Sequence, residues 1–421
     1  MSILVTAGQV LAEPELAAPQ ALGGVLVDGP QIAAVGPASE LRQRAPQGTQ
    51  EWNFPSSTLL PGLINAHVHL GFDASSAPTA AFETSRPDGL EPDAATVARA
   101  MMFEHAQQLL AAGVTTARDL GDRDGLAASV RDTISRGGAE GPRLLVAGTP
   151  LTSSPNGHCA FLGGGVEDGD DSEAGRESVR AQIEANLSRG ADWIKVMGSG
   201  GKMSRESPEV WVNQFDDATF HLAVATAHER GLPVAVHAHG VEAIAQAVAA
   251  GAETVEHCGW RSGPRALDLR PELAEKMAAH GVVACPTPTP NWHRMAERSG
   301  VEFAEAYHAR LGWMHRLGVP LVWGTDAGTR GSTFDATARS LSAFVYGGIQ
   351  PSDVLPLATT AAARALRVSA GALRPGLDAD LLVVDGDPSS DIGALERVRL
   401  VVARGQFASA PLQAPCSLPP G

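Results

Sequence analysis

One unit recurs through the middle of this chain: an amphipathic helix, a glycine, and then a short apolar run rich in β-branched residues. It is read at QQLLAAG–VTTARDL (Gly113), ANLSRG–ADWIKVM (Gly190), TAHERG–LPVAVHA (Gly231), AVAAG–AETVEHC (Gly251), KMAAHG–VVACPT (Gly281) and HRLG–VPLVWGTD (Gly318). Glycine just past an apolar-periodic segment marks a left-handed helix terminator, with the strand following within a few residues. LLPGLINAHVHL ahead of the series and PRLLVAG between its first two members bring the strands to eight. Eight alternating units over about 300 residues predict an α/β fold of the closed, parallel (β/α)8 TIM-barrel type. An open, doubly wound sheet is the competing architecture, but no G-x-G-x-x-G opens a helix, which removes its usual nucleotide signature.

The two ends read differently. ILVT and GGVLVDGPQIAAVG alternate in short segments, with turns at Asp28-Gly29 and Gly36-Pro37, and ADLLVVDGDP and VRLVVARG near the other end do the same. Neither piece can close a β core alone, so both termini are expected to pair into one small β-sandwich domain. The boundaries expected are 1–58 and 366–410 for the two parts of the sandwich, 59–365 for the barrel, and a Pro- and Ser-rich tail at 411–421.

Composition narrows the partners. The 421 residues are 44% hydrophobic and 19% charged, enough for a large core, and 32 basic against 47 acidic residues leave a net charge of −15. Such a surface repels phosphate backbones and anionic membranes, so neither nucleic acid nor membrane is expected as a partner. A small-molecule substrate is, with self-association into a homo-oligomer left open. Four cysteines without a C-x-x-C pair form no disulfide framework. No basic n-region, A-x-A site or membrane-length apolar stretch is read, so a cytoplasmic setting is expected.

Functional groups of a barrel gather at the C-terminal ends of its strands. There the chain places His67 and His69, Lys195, His237, His257 and Asp326, each interrupting or ending an apolar run. Residues i and i+2 of a strand point the same way, so His67 and His69 can share one metal; two satisfied core histidines are the alternative. Lys195, inside WIKVM, either snorkels to the barrel mouth or is neutralised, for instance by carbamylation with carbon dioxide.

The set PGLINAHVHL, WIKVMGSGG, VAVHAHG, VEHC and GTDAG, with GLDADLLVVDGDP, resembles the amidohydrolase superfamily over nearly the whole chain. More narrowly it resembles the imidazolonepropionase-like and Xaa-Pro dipeptidase (prolidase-type) branch that carries a carbamylated lysine. The resemblance implies His67, His69 and Asp326 on one divalent ion, His237 and His257 on a second, and a carbamate on Lys195 bridging them. Zinc is the default ion, with manganese or cobalt as alternatives. The implied reaction is cleavage of an amide bond (in an N-acyl amino acid, a dipeptide or a cyclic amide) by a metal-bridging hydroxide, with Asp326 as proton shuttle. His158, in the Gly-rich loop SSPNGHCAFLGG, is the first candidate for an oxyanion donor and His239 the second, each weighed against a loop histidine without a catalytic part. Lys202 and Arg205, after Lys195, form either a clamp for a substrate carboxylate or a solvated loop. His105, His228, His280, His308 and His315 are expected on outer helices, and His293 in the loop after the seventh strand.

Two departures from the family pattern stand out: GTDAGTRGSTFDATARS lacks a His-Gly segment, and TTAAARAL replaces T-x-N-P-A. Both are expected to alter the pocket wall while sparing the metal set. Lactone or ester hydrolysis shares the attack geometry and stays open. A mononuclear deaminase wants His-x-x-Glu on the fifth strand and no lysine on the fourth, whereas Gly240 and Lys195 stand there. A pseudoenzyme would be marked by lost ligands, and all six positions are filled.

Overall fold

The computed structural model describes residues 2–14, 20–74, 92–168, 172–201, 203, 206–408 and 416–417. All six glycines expected to end helices take positive φ, between 68° and 87°. At Gly251 and Gly281 the N–H donates back to the helix's last carbonyls, closing it where an L side chain would be strained.

The strands released by these caps form a ring. The first barrel strand (Leu63–Val68) pairs in parallel with the second (Val114–Asp119), and that with the third (Arg143–Val146). The fourth (Ile194–Met197), fifth (Val234–His237), sixth (Thr254–Glu256) and seventh (Val283–Cys285) pair in the same sense. A bridge between Leu151 and Val196 joins the two groups. The eighth segment closes the circle through Ala284↔Leu321 on one side and Val68↔Ala327 on the other. Ala66 N also donates to Trp323 O at 2.9 Å across that seam. The result is the closed barrel expected, wrapped by helices whose apolar faces share one large buried cluster with the strands.

TTAAARAL does not wall the mouth where the candidate site lies. The helix Thr360–Leu366 packs Ala362, Ala363 and Leu366 against Ile64, Ala66 and Val322. Ile64 N donates to Ala358 O, which ties this segment to the start of the first strand. It therefore seals the end of the barrel remote from the strands' C-terminal tips, and the pocket expectation for it is corrected: Ala362 and Ala363 fill a narrow apolar floor there.

The small domain combines both termini, as expected, but hydrogen bonding makes it one continuous sheet folded over on itself. The long strand Gln50–Pro61 pairs in parallel with Ser2–Val10 and antiparallel with Leu381–Asp385, so it belongs to both halves. Ile3, Val25, Trp52, Leu381 and Leu400 share the core between those halves. Within the segment read as a tail, Cys416 and Ser417 pair antiparallel with Glu51 and Gln50. Among the described residues no helix is long and apolar enough to cross a membrane.

Candidate metal centre

The first strand brings the Nε2 atoms of His67 and His69 to 3.2 Å from each other, and each lies 3.3 Å from Asp326 Oδ1. Asp326 takes φ 56°, a left-handed conformation at the tip of the eighth segment that turns its carboxylate toward the two imidazoles. Burial by itself would raise the Asp326 pKa. The neighbouring His67 and His69 outweigh it and hold the carboxyl well below its usual range.

A second set forms across the mouth. His237, His239 and His257 bring one ring nitrogen each within 4.8 Å of the others, and the His67 and His257 ring centroids, 5.2 Å apart, join the two sets. Burial, then the neighbouring His158 and His239, lowers the His237 pKa well below the ordinary imidazole value. His257 is lowered likewise, by burial and then by His239 and His237. Burial and His158 depress His239 to about 3. These are neutral rings with available lone pairs, the form a divalent cation requires.

The other ring nitrogens are engaged, which fixes the rings. His257 Nδ1 meets Thr287 Oγ1 at 2.7 Å and His69 Nδ1 meets Gly121 O at 3.4 Å. For His237 the pattern inverts: Nε2 faces Gly200 O at 3.1 Å, leaving Nδ1 to face the centre.

Lys195 is 1% exposed, and its Nζ has no hydrogen-bond partner among the described residues. Burial lowers its pKa against the pull of Glu256 and Asp326. A buried amine without a partner among the described residues, beside two sets of imidazole and carboxylate donors, fits a site for divalent cations. The donors of these two sets are nitrogen and oxygen, which suits zinc-class divalent ions.

His158 lies against the second set, its ring 4.7 Å from that of His237. Burial, then Lys195, lowers its pKa to about 4, and Nδ1 has no partner among the described residues. Its backbone is held on both sides: His158 N donates to Gln214 Oε1, and Thr152 Oγ1 donates to His158 O at 2.7 Å. A side chain on Gly201 would collide with the imidazole, so only glycine leaves His158 its place. His293 is exposed beside Trp292, while His105 and His308 are buried in helix packing away from the centre. Lys202 and Arg205 lie outside the described residues.

Three supporting residues escaped the reading of the sequence. Glu256 and Arg118 are fully buried and hydrogen-bonded to each other at 2.8 Å, and Glu256 Oε2 meets His67 Nδ1 at 2.7 Å. Asp119 accepts from Leu70 N at 2.7 Å and from Gly121 N at 3.1 Å, pinning the backbone on both sides of the His69 ring. The signal was present: VEHC and VTTARDL carry charged residues inside apolar runs, by the same rule that singled out Lys195.

Comparison with known proteins shows the family to which the chain belongs. Residues 58–408 match the Amidohydrolase family, and residues 23–47 match the bacterial imidazolonepropionase-like composite domain. The ochratoxinase of Aspergillus niger is 25% identical over 407 residues, covering 88% of this chain and 78% of that protein. A Xaa-Pro dipeptidase crystallised with bound methionine is similar at 26% identity and TM-score 0.77, over 97% of this chain and 99% of that one. A prolidase complexed with N-methylphosphonate-L-proline shows 25% identity and TM-score 0.76, again over 97% and 99%.

Proposed function

The chain belongs to the amidohydrolase family, and on that premise we propose that it hydrolyses an amide bond of a small molecule with two divalent ions, zinc by default. The observation that carries the reading is Lys195 Nζ, without a partner among the described residues and buried beside the His67–His69–Asp326 and His237–His257 sets. His67, His69 and Asp326 would hold one ion, His237 and His257 the other. Lys195, with its lowered pKa, offers the free amine that carbamylation needs; addition of carbon dioxide with loss of a proton would leave an anionic carbamate there as a further oxygen ligand for the ions. Bound there, such ions supply an acidified water and a Lewis acid for the scissile carbonyl.

The chain's own groups do the rest. Asp326, held ionised, accepts the proton of the attacking water on a carboxylate oxygen and returns it to the leaving nitrogen. His158, or in its place His239, both neutral, presents a ring N–H group to the oxyanion as charge develops, His158 having no competing partner on Nδ1 among the described residues. Packing of Phe72, Leu162 and Met197 around Cys159 gives this side of the centre an apolar lining that keeps bulk water away. The names of the similar proteins, a Xaa-Pro dipeptidase and a prolidase, support an acyl-amino-acid or dipeptide substrate.

Screening N-acyl amino acids, Xaa-Pro dipeptides and cyclic amides against metal-loaded protein tests this. Turnover of at least one class, abolished by a chelator and restored by zinc, is the expected result. Cleavage of lactones or esters alone would replace the amide reading. Deamination without amide cleavage would point to a mononuclear site.

A further inference from the structure

Glu256 is tied on both carboxylate oxygens, and the two sides differ in kind. Oε1 accepts from Arg118 Nη2 at 2.8 Å and from Thr254 Oγ1 at 2.6 Å. Oε2 faces His67 Nδ1 at 2.7 Å. Arg118 is itself anchored: its Nε donates to Ala66 O at 2.8 Å, and its guanidinium lies 4.3 Å over the Trp193 ring. Arg118 and Glu256 are fully buried, so neither can turn to water.

We propose that Arg118 and Glu256 are positioning residues that lock His67 in the Nδ1–H tautomer and so reserve its Nε2 lone pair for the ion shared with His69 and Asp326. A carboxylate has no proton to give, so the ring must donate to Oε2 through Nδ1. Its Nε2 is then the lone-pair nitrogen, and that is the atom facing His69 Nε2 and Asp326 Oδ1. The guanidinium supplies the counter-charge that lets a carboxylate stay in a dry interior. This rests on the two-ion reading above, but the tautomer can be read without any substrate.

Glu256→Gln gives a sharp test, because an amide has one accepting and one donating end. Arg118 can only donate, and its contact claims the carbonyl oxygen, so the amide NH2 must face His67 Nδ1. The contacts with Arg118, Thr254 and His67 are then satisfied and the volume is conserved, but the ring must carry its proton on Nε2, where the ion should sit. The variant is expected to fold with unchanged circular dichroism and to bind zinc about 10–100-fold more weakly in a chelator competition. Glu256→Asp, which keeps the charge but shortens the reach, should fall between Gln and wild type. Wild-type affinity in folded Glu256→Gln overturns the proposal.

Nitrogen-15 spectra of the metal-free wild type provide a readout that needs no variant to fold at position 256. The His67 signals, assigned with His67→Asn, should show Nδ1 protonated; an unprotonated Nδ1 with the proton on Nε2 overturns the proposal even if Glu256→Gln proves insoluble. A wild-type protein that binds zinc yet cleaves no amide would remove the hydrolase reading and leave this one standing.

Discussion

Asp326 meets His67 twice, through its backbone N–H, which donates to His67 O at 2.9 Å, and through its carboxylate, 3.3 Å from His67 Nε2. The first contact is part of the seam that closes the barrel, and the second belongs to the candidate metal centre. Folding and chemistry thus share one residue, which explains why a left-handed backbone is tolerated there.

Asp326→Asn separates the two roles. Asparagine accepts the left-handed conformation and preserves the backbone hydrogen bond, but it cannot take a proton. We expect the variant to fold with little change in Tm and to lose about 10²–10⁴-fold in kcat on whichever amide the screen identifies. Loss of less than a factor of ten would remove Asp326 from proton transfer.

Lys195→Ala removes the orphaned amine. Metal analysis should find fewer than two divalent ions per chain and activity should collapse, with partial rescue by formate or acetate entering the vacated space. Ordinary metal content and ordinary turnover in this variant would retire the bridging carbamate.

Gly201→Ala aims at His158 from behind. The added methyl would occupy the imidazole's position and force the ring out of the centre. If His158 steadies the oxyanion, Gly201→Ala and His158→Ala should each cost about 10²–10³-fold in kcat, with KM changing much less. The double variant should be no worse than either single one. Additive losses would mean that the two residues act separately.

Asp122 makes stability depend on pH. Burial, then the charge of Asp119, pushes its carboxyl from an ordinary 3.8 up to about 8, and Oδ1 has no partner among the described residues. The folded state therefore holds a proton that the unfolded chain releases near pH 4. This contribution is intact below that pH and is lost progressively up to about pH 8. Asp122→Asn keeps an acceptor for Ala127 N, now served by Oδ2 at 2.6 Å, and abolishes the titration. Melting curves should show Asp122→Asn gaining on wild type as pH rises from 5 to 8; a Tm difference that is the same at both pH values contradicts the assignment.

What the sequence determined by itself was whatever local periodicity encodes. The six helix-ending glycines were legible because positive φ is a property of one residue and its immediate neighbours. His67, His69, Lys195, His237, His257 and Asp326 stood out because a polar group in an apolar run demands a partner, wherever that partner lies. Tertiary structure alone decided the partners. Arg118, Glu256 and His67 come from the second, sixth and first strands, and they meet because closure of the ring sets which residues face each other across the interior. The same closure brings His257 to His237 and His239, and turns TTAAARAL from a supposed pocket wall into the barrel's floor. Register around a closed sheet is a collective property of all eight strands, and no window of neighbouring residues contains it.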